Sequence, residues 1–329
     1  MSAYDQQIAA ANLSAAMQHP EIVNEIFQAA VQRSFVLQRA RRLPNMGTGT
    51  AKMSVLDALP LAYFQATGTT MKKTTKQAWK GKTLTAEELA VIVPIPENVL
   101  ADATNIDIWG ETMPRIGEAM GSVIDAAVLS GDDLPPTWLT DTAGAAASII
   151  AAATAANMTV EAGTGTDLYD DIWGDGGVVS LVEEQGFDVN GHVSPVAFKG
   201  KLRHVRENRD ATGAGKPLLW NESGKYMLDA APISFLKNGA IDPLEALMIS
   251  GDWDQVVYSI RQDITPKFLD QAVITDADNE IMFNLPQQDM VAMRFTFRLA
   301  FQIANPVTLL SATESTRYPF AVLTPAAAT

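Results

Sequence analysis

The most regular pattern of apolar and polar positions lies in residues 88–131. Residues 89–96 form a short apolar run that ends at Pro96, which predicts a β-strand because proline cannot donate the next ladder bond. After a polar link, apolar residues recur every three or four positions from 108 to 130, the spacing of one helical face. Asp107 is a candidate N-cap, and the pattern stops at Gly131. We refer to residues 108–130 as the spine helix.

Three residues make the spine helix irregular. Pro114 removes a backbone hydrogen bond and predicts a kink. Gly117 and Gly121 lie one turn apart and are costly inside a helix unless another element packs closely against them. We therefore predict that Pro114, Gly117 and Gly121 form a packing surface, against this chain or against a neighbouring copy.

A second strong pattern lies near the C-terminal end. Residues 291–303 alternate between large apolar side chains and polar or small ones, which predicts a long strand with two different faces. Its apolar face matches that of the spine helix, so we expect the strand to rejoin the spine. Residues 135–285 would then be an inserted unit of mixed helices and strands. In this unit the sequence predicts helices at 143–156, 168–185 (interrupted) and 194–206, and a strand at 187–189.

The N-terminal part predicts an amphipathic helix over residues 20–42 that ends in a basic cluster. Arginines in a last helical turn offset the helix dipole, which is one explanation for the cluster. The other explanation is contact with nucleic acid. The residues concerned are Arg33, Arg39, Arg41 and Arg42.

A lysine-rich segment follows. Residues 54–59 and 61–67 predict short strands, and alternating threonine and lysine at 69–85 favour an exposed hairpin over a buried strand. Such an arm is poorly ordered alone, so it needs an acidic partner surface. Binding of single-stranded nucleic acid is a weaker alternative, because one aromatic side chain is a poor stacking platform. The predicted contact residues are Lys72, Lys73, Lys76, Trp79, Lys80 and Lys82.

The charge distribution also favours an acidic partner surface for the basic N-terminal part. The 329-residue chain has a net charge of −14, which argues against nucleic-acid binding by the whole surface. Residues 1–90 carry ten basic and six acidic side chains, a net charge of +4, whereas the remainder carries −18. The basic N-terminal third could therefore lie on the acidic body of another copy. The alternative is ordinary local variation of a solvated surface.

Candidate chemistry is scarce. The chain has no cysteine, no apolar run long enough for a membrane span and no recognisable signal peptide. Its three histidines, His19, His192 and His204, are far apart in sequence. The glycine-rich stretch 213–216 lacks the pattern of a phosphate loop, and the acidic stretch 276–280 lacks that of a calcium loop. We predict no catalytic, cofactor-binding or metal-binding residues, and hence no enzyme and no cofactor.

Four motifs occur in a specific order: VIVPIPENVLAD at 91–102, IDAAVLSG at 124–131, GDWDQVVYSIRQD at 251–263 and DMVAMR at 289–294. In this order and spacing they resemble the major capsid proteins of tailed bacteriophages, which share the Hong Kong 97-type fold. The resemblance covers roughly residues 20–325. It implies a mixed α+β fold with an N-terminal arm (1–50), an extended hairpin loop (51–87), a peripheral domain (88–134 and 286–329) and an axial α/β domain (135–285, with its second boundary left open between 250 and 285).

The resemblance also implies a function and partners. Such proteins form hexamers and pentamers that close into an icosahedral shell around double-stranded DNA, which they contact weakly and without sequence specificity. A separate scaffolding protein and a portal are implied, with a decoration protein as an optional partner; no membrane is involved. The fifty residues before the loop leave no room for a scaffolding pro-segment. The shell would form in the host cytoplasm and become part of the virion.

Two alternative interpretations of the sequence remain. The first is the shell of a cellular encapsulin-type nanocompartment with the same fold, and the second is a soluble α/β enzyme. Nanocompartment shells have a shortened N-terminal arm, so the helical arm predicted at 20–42 favours the phage protein.

Overall fold

The structure is a computed structural model that describes residues 34–60, 74–102, 108–138, 147–165, 167–206, 217–222, 225–228, 231–276 and 278–326. The strand predicted at 61–67, most of the helix predicted at 20–42 and the first part of the helix predicted at 143–156 lie outside the described residues.

The described elements alternate between short helices and strands of varied length. The helices are α1 (Phe35–Arg39), α2 (Glu97–Asp102), α3 (Ile108–Leu129), α4 (Ile149–Ala155), α5 (Leu168–Trp173), α6 (Val178–Glu184) and α7 (Lys199–Leu202). The strands are β1 (Arg41–Arg42), β2 (Thr50–Ala58), β3 (Ala78–Thr85), β4 (Glu87–Pro96), β5 (Thr159–Glu161), β6 (Gly191–Pro195), β7 (Leu219–Glu222), β8 (Lys225–Leu228), β9 (Ala231–Leu236), β10 (Met248–Gly251), β11 (Val256–Leu269), β12 (Val273–Thr275), β13 (Ile281–Asn284), β14 (Met290–Ile303) and β15 (Phe320–Thr324).

The first sheet has the strand order β1-β11-β14-β4. Strand β14 is antiparallel to both β11 and β4, and its register with β4 runs from Met290 opposite Pro96 to Leu299 opposite Glu87. Strand β4 lies at the edge of the sheet, where its two prolines cost no ladder bonds on the open side. The strands predicted at 89–96 and 291–303 are confirmed, and they pair with each other.

The spine helix is confirmed as α3. It buries a face that shares one continuous core with the odd-numbered side chains of β14, as the matching apolar patterns predict. The members of this core from the two elements are Ile116, Met120, Ile124, Val128, Leu129, Met293, Phe295, Phe297, Leu299, Phe301 and Ile303.

The second sheet has the order β5-β15-β10-β6-β9-β8-β7 and mixes parallel and antiparallel pairs. Strand β15 fills the position between β5 and β10. The expectation that all of residues 286–329 lie with the spine is therefore wrong for Phe320–Thr324. Conversely, β11 belongs to the first sheet, although it falls within the expected unit 135–285. In both cases long-range strand pairing decides the membership.

The helix predicted at 194–206 is wrong for its first two residues and ends earlier, at Leu202. Residues 191–195 are strand β6, which pairs with β10 on one side and β9 on the other. The buried Ser194 hydroxyl donates to Leu247 O at 2.8 Å instead of capping a helix. A 3₁₀ turn (Val196–Phe198) and the one-turn helix α7 follow. No strand forms at 187–189, whereas the interrupted helix at 168–185 is confirmed as α5 and α6.

The chain passes from the second sheet to the first at Trp253, in a 3₁₀ turn between β10 and β11. The Trp253 indole is 1% exposed and makes edge-to-face contacts with Phe35, at a centroid distance of 4.9 Å, and with Phe320, at 5.0 Å. Its Nε1 donates to Gly191 O at 3.1 Å. One side chain thus joins α1, β15 and the start of β6.

The two spine glycines differ in their surroundings, which gives a matched pair of variants. A Cβ added at Gly117 meets no atom within 4 Å, so Gly117→Ala should raise the free energy of unfolding by about 0.5–1 kcal/mol, the usual helical gain over glycine. A Cβ at Gly121 would lie 3.0 Å from Ser34 N, so Gly121→Ala should gain less or destabilise. Urea unfolding of unassembled subunits measures both. Equal gains would contradict close packing at Gly121.

Candidate functional site

The lysine-rich segment forms one strand of a two-stranded hairpin. Strands β2 and β3 pair from Thr50 opposite Thr85 to Ala58 opposite Ala78. On β3 the Trp79 side chain is 64% exposed, and Lys76 just before the strand is also exposed. Lys72 and Lys73 lie outside the described residues. The hairpin therefore presents an indole and an ammonium group to solvent.

The base of the hairpin has an acidic partner within the chain. Lys80 Nζ lies 2.6 Å from Glu314 Oε2, and Lys82 Nζ lies 4.0 Å from Glu314 Oε1. Lys82 is mostly buried and also donates to Ile303 O at 3.0 Å. Burial lowers the pKa of Lys82, and the Glu314 carboxylate partly opposes this shift. Lys80 and Lys82 thus help to fix the hairpin, which leaves Lys76 and Trp79 facing outward.

The segment that carries Glu314 is itself held by a buried arginine. Arg317 is 1% exposed; its Nε donates to Asn305 Oδ1 at 3.2 Å and its Nη1 to Ser311 O at 2.9 Å. Burial lowers the pKa of Arg317. Val307 N completes the attachment by donating to Leu56 O of the hairpin at 3.0 Å. Sequence reasoning did not find this junction, since its members are far apart along the chain.

The predicted arginine cluster is split between two elements. Arg39 lies in the last turn of α1, partly buried, and burial lowers its pKa. Arg41 and Arg42 form the exposed strand β1 at the edge of the first sheet, so the prediction of a helix through residue 42 is wrong. Arg42 Nη2 donates to Asn45 Oδ1 at 3.0 Å. Arg33 lies outside the described residues.

The spine helix binds the start of α1 through a buried carboxylate. Asp125 is fully buried and accepts hydrogen bonds from Ser34 Oγ (2.6 Å), Phe35 N (2.9 Å), Val36 N (3.0 Å) and Asn238 Nδ2 (2.9 Å). Burial raises the pKa of Asp125, and the four donors oppose the shift. Sequence reasoning missed this role, although a carboxylate among the apolar positions of a helix was a usable signal.

The predicted spine residues lie in different surroundings. Gly121 faces Ser34, one turn before Asp125, so its missing side chain admits the arm. Gly117 faces open space within this chain. The helix runs through Pro114, whose side chain is outside the described part of the structure.

The histidines lie in different surroundings. His192 is buried, with Nδ1 2.8 Å from Ser250 Oγ, while His204 is exposed and His19 is not described. The buried Asp171 accepts from Gly163 N and Gly165 N at 2.7 Å each. In the described ranges, no three His, Asp or Glu side chains group as metal ligands would.

The acidic stretch at 276–280 folds back on itself, since Asp276 Oδ1 accepts from Asp278 N and Glu280 N. The glycine-rich stretch 213–216 is outside the described residues. None of the described helices combines the length and apolar character that crossing a membrane requires.

The architecture comprises two sheets that share one core, a long spine helix and a projecting hairpin. A family model described as the phage capsid family matches residues 16–310. The chain belongs to the phage capsid family. The major capsid protein of Staphylococcus phage 80alpha is 26% identical to it over 287 residues, which are 87% of this chain and 81% of the relative. This chain is a structural protein of a phage capsid, and the enzyme alternative is wrong.

Solved structures of phage proteins confirm the fold. One from Microbacterium phage Oxtober96 is 34% identical with a TM-score of 0.76 and covers 97% of this chain and 100% of its own. One from Mycobacterium phage Adephagia is 31% identical with the same TM-score and covers 98% and 100%. The capsid of an empty GTA particle, computed with C5 symmetry, shares the fold at 18% identity and a TM-score of 0.56 over 89% of each chain. The predicted mixed α+β capsid fold is confirmed, and the nanocompartment alternative is not favoured.

The buried histidine gives the capsid protein a defined acid sensitivity. Burial lowers the pKa of His192 to about 4, against about 6.5 in the unfolded chain. Between these values the unfolded state binds one more proton, so the free energy of unfolding should fall by about 3 kcal/mol as the pH falls through this window.

Urea unfolding at several pH values, with His192→Gln for comparison, measures this contribution. The variant should show a shallower pH dependence, whatever its absolute stability. His204→Gln is the control, because His204 is exposed and its removal should leave the slope unchanged. Equal slopes for the wild type and His192→Gln would contradict the prediction.

Proposed function

We propose that this capsid protein assembles as hexamers and pentamers into an icosahedral shell that encloses the double-stranded DNA genome of a tailed phage. The observation that carries the proposal is the β2–β3 hairpin, whose base is fixed to Glu314 while Trp79 stays 64% exposed. A lone two-stranded hairpin is marginally stable in water, so a neighbouring subunit is the expected cover. Trp79 and the outer lysines, Lys72, Lys73 and Lys76, would make this contact.

The charge asymmetry favours contact between different surfaces of neighbouring copies. A basic segment from one subunit and an acidic surface from the next form a head-to-tail interface, which generates rings when the rotation closes. In this arrangement residues 1–50 act as an arm and 51–87 as the extended loop. The first sheet with α3 would form the peripheral domain, and the second sheet the axial domain.

The arginines of the arm are proposed to contact the packaged genome. Arg33, Arg39, Arg41 and Arg42 would face the interior and contact DNA weakly and without sequence specificity. The net charge of −14 supports a weak contact, since strong phosphate binding requires a net positive surface. We also propose a separate scaffolding protein and a portal as partners, a decoration protein as an optional one, and assembly in the host cytoplasm.

Cryo-electron microscopy of particles from bacteria that express the chain, alone and with the scaffolding protein of its phage, tests the proposal. We expect closed shells with fivefold and sixfold clusters of subunits, and double-stranded DNA inside native particles. A small monodisperse species that never assembles under either condition would contradict the proposal. Particles that enclose a protein cargo instead of DNA would support the nanocompartment.

Replacement of Lys72, Lys73 and Lys76 by Gln should reduce the yield or thermal stability of particles. Each exposed ion pair contributes about 0–1 kcal/mol, and the effect accumulates over many subunits. Lys201→Gln with Lys237→Gln is the control for general charge loss, since both lysines are exposed on the second unit. Light scattering measures assembly. The deficit should shrink at high salt, where screening weakens the wild-type contacts as well. Particles unchanged by the three replacements would contradict the electrostatic account.

A further inference from the structure

The face of the first sheet that points away from the spine helix is packed at both ends. At one end Ala300 and Val257 lie in a small cluster with Leu84. At the other end Ala292 packs with Leu285 and with residues of the β12–β13 hairpin. The even-numbered residues of β14 between these clusters are Arg294, Thr296 and Arg298. We name these three residues, with Ile92 on the adjoining strand, the arginine saddle.

The two arginines of the saddle each have a buried nitrogen without a hydrogen-bond partner among the described residues. The Nε atoms of Arg294 and Arg298 are buried and have no hydrogen-bond partner among the described residues. Neither arginine takes part in the ion pairs that the described ranges contain. Lys267 lies opposite Arg294 and adds positive charge, while Glu88 lies opposite Arg298 without forming an ion pair. A buried donor left unpaired destabilises the folded chain, and a carboxylate from outside the chain would relieve this cost.

A surface of opposite character lies on the β12–β13 hairpin. Its acidic turn contains Asp276, Asp278 and Glu280, of which Asp276 already accepts bonds from the turn's own amides. The carboxylates of Asp278 and Glu280 are exposed. Ile281 beside them is 67% exposed. The turn therefore offers two carboxylates next to an apolar side chain, and the saddle offers two guanidinium groups next to Ile92, which is 42% exposed.

We infer that the acidic turn of one subunit binds the arginine saddle of a second copy. Asp278 and Glu280 would pair with Arg294 and Arg298, and Ile281 would pack on Ile92. Arginine suits this role because its planar donors bind a carboxylate in a bidentate way. The inference rests on the proposed shell function and names a second contact surface for it.

The hairpin lysines are less suitable partners for the acidic turn. Lys80 and Lys82 already pair with Glu314, whereas the saddle arginines take part in none of the ion pairs within the described residues. The saddle and the turn are different surfaces of the same chain, so their contact is head-to-tail and can propagate around a closed ring of subunits.

Charge-exchange variants test the contact. Arg294→Glu with Arg298→Glu, and separately Asp278→Lys with Glu280→Lys, should each lower the yield of closed particles at least tenfold. A chain that carries all four replacements should recover the yield, because its reversed turn and reversed saddle are complementary at every contact, in fivefold as well as sixfold rings. Circular dichroism and urea unfolding establish that both variants fold. Arg115→Gln is the control, since Arg115 is an exposed arginine whose partner Glu118 is on its own helix.

A cross-link provides a readout that does not require a closed shell. The chain has no cysteine, so Ile281→Cys and Ile92→Cys on separate molecules introduce a single thiol each. Mild oxidation of the mixture should give a covalent dimer of the two variants, with little dimer from either variant alone. If the wild type forms no shell but this dimer appears, the shell proposal fails and the contact stands.

Three outcomes would overturn the inference. One is wild-type assembly by the charge-reversed variants, and another is the absence of the mixed dimer together with no recovery by the chain that carries all four replacements. The third is normal assembly of Arg294→Gln with Arg298→Gln accompanied by loss of packaged DNA, which would assign the saddle to nucleic acid instead.

Discussion

The packing of Trp253 is the interaction on which the two halves of the molecule depend. The indole lies where the chain leaves β10 and enters β11, and it contacts Phe35 and Phe320 within 5.0 Å. Edge-to-face aromatic pairs contribute about 0.5–1.5 kcal/mol each beyond the area that they bury. Because Phe35 begins the arm helix and Phe320 begins β15, one side chain sets the position of the arm and of the second sheet relative to the first.

Buried charged groups fix the segments that lack extensive regular structure. Asp125 gathers four donors from the arm and from the loop at Asn238, and Arg317 holds the segment that bears Glu314. Because the chain has no cysteine, disulfides cannot hold these segments, and the hydrogen bonds of the two buried groups do so instead. Removing one partner would leave a buried charged group short of a hydrogen bond, which costs about 1–3 kcal/mol. The arm and the hairpin base are therefore held by groups that tolerate little substitution.

The long periodic elements could be predicted from the sequence, because burial of one face requires apolar residues at a regular spacing. The spine helix, β4 and β14 are of this kind, and the match between their apolar faces indicated how they pack. The error at Ser194 has a local cause: a serine followed by proline is a good helix start, but here the sheet buries that serine. The partners of Asp125 and Glu314 could not be predicted from the sequence, since these contacts join residues that are 91 and 234 positions apart. The same holds for β15, whose five residues carry no periodic signal and take their place only from β5 and β10.

The position of β15 has a consequence for biosynthesis. Strand β15 is translated after every other described strand of its sheet, yet it lies between β5 and β10 and pairs with both. The ribosome must therefore release the chain through residue 324 before this sheet can close. We expect a subunit still in synthesis, or one cut short before residue 320, to present unpaired strand edges that chaperones and proteases recognise. Completion of the fold would then serve as a check on chain length before a subunit enters a particle.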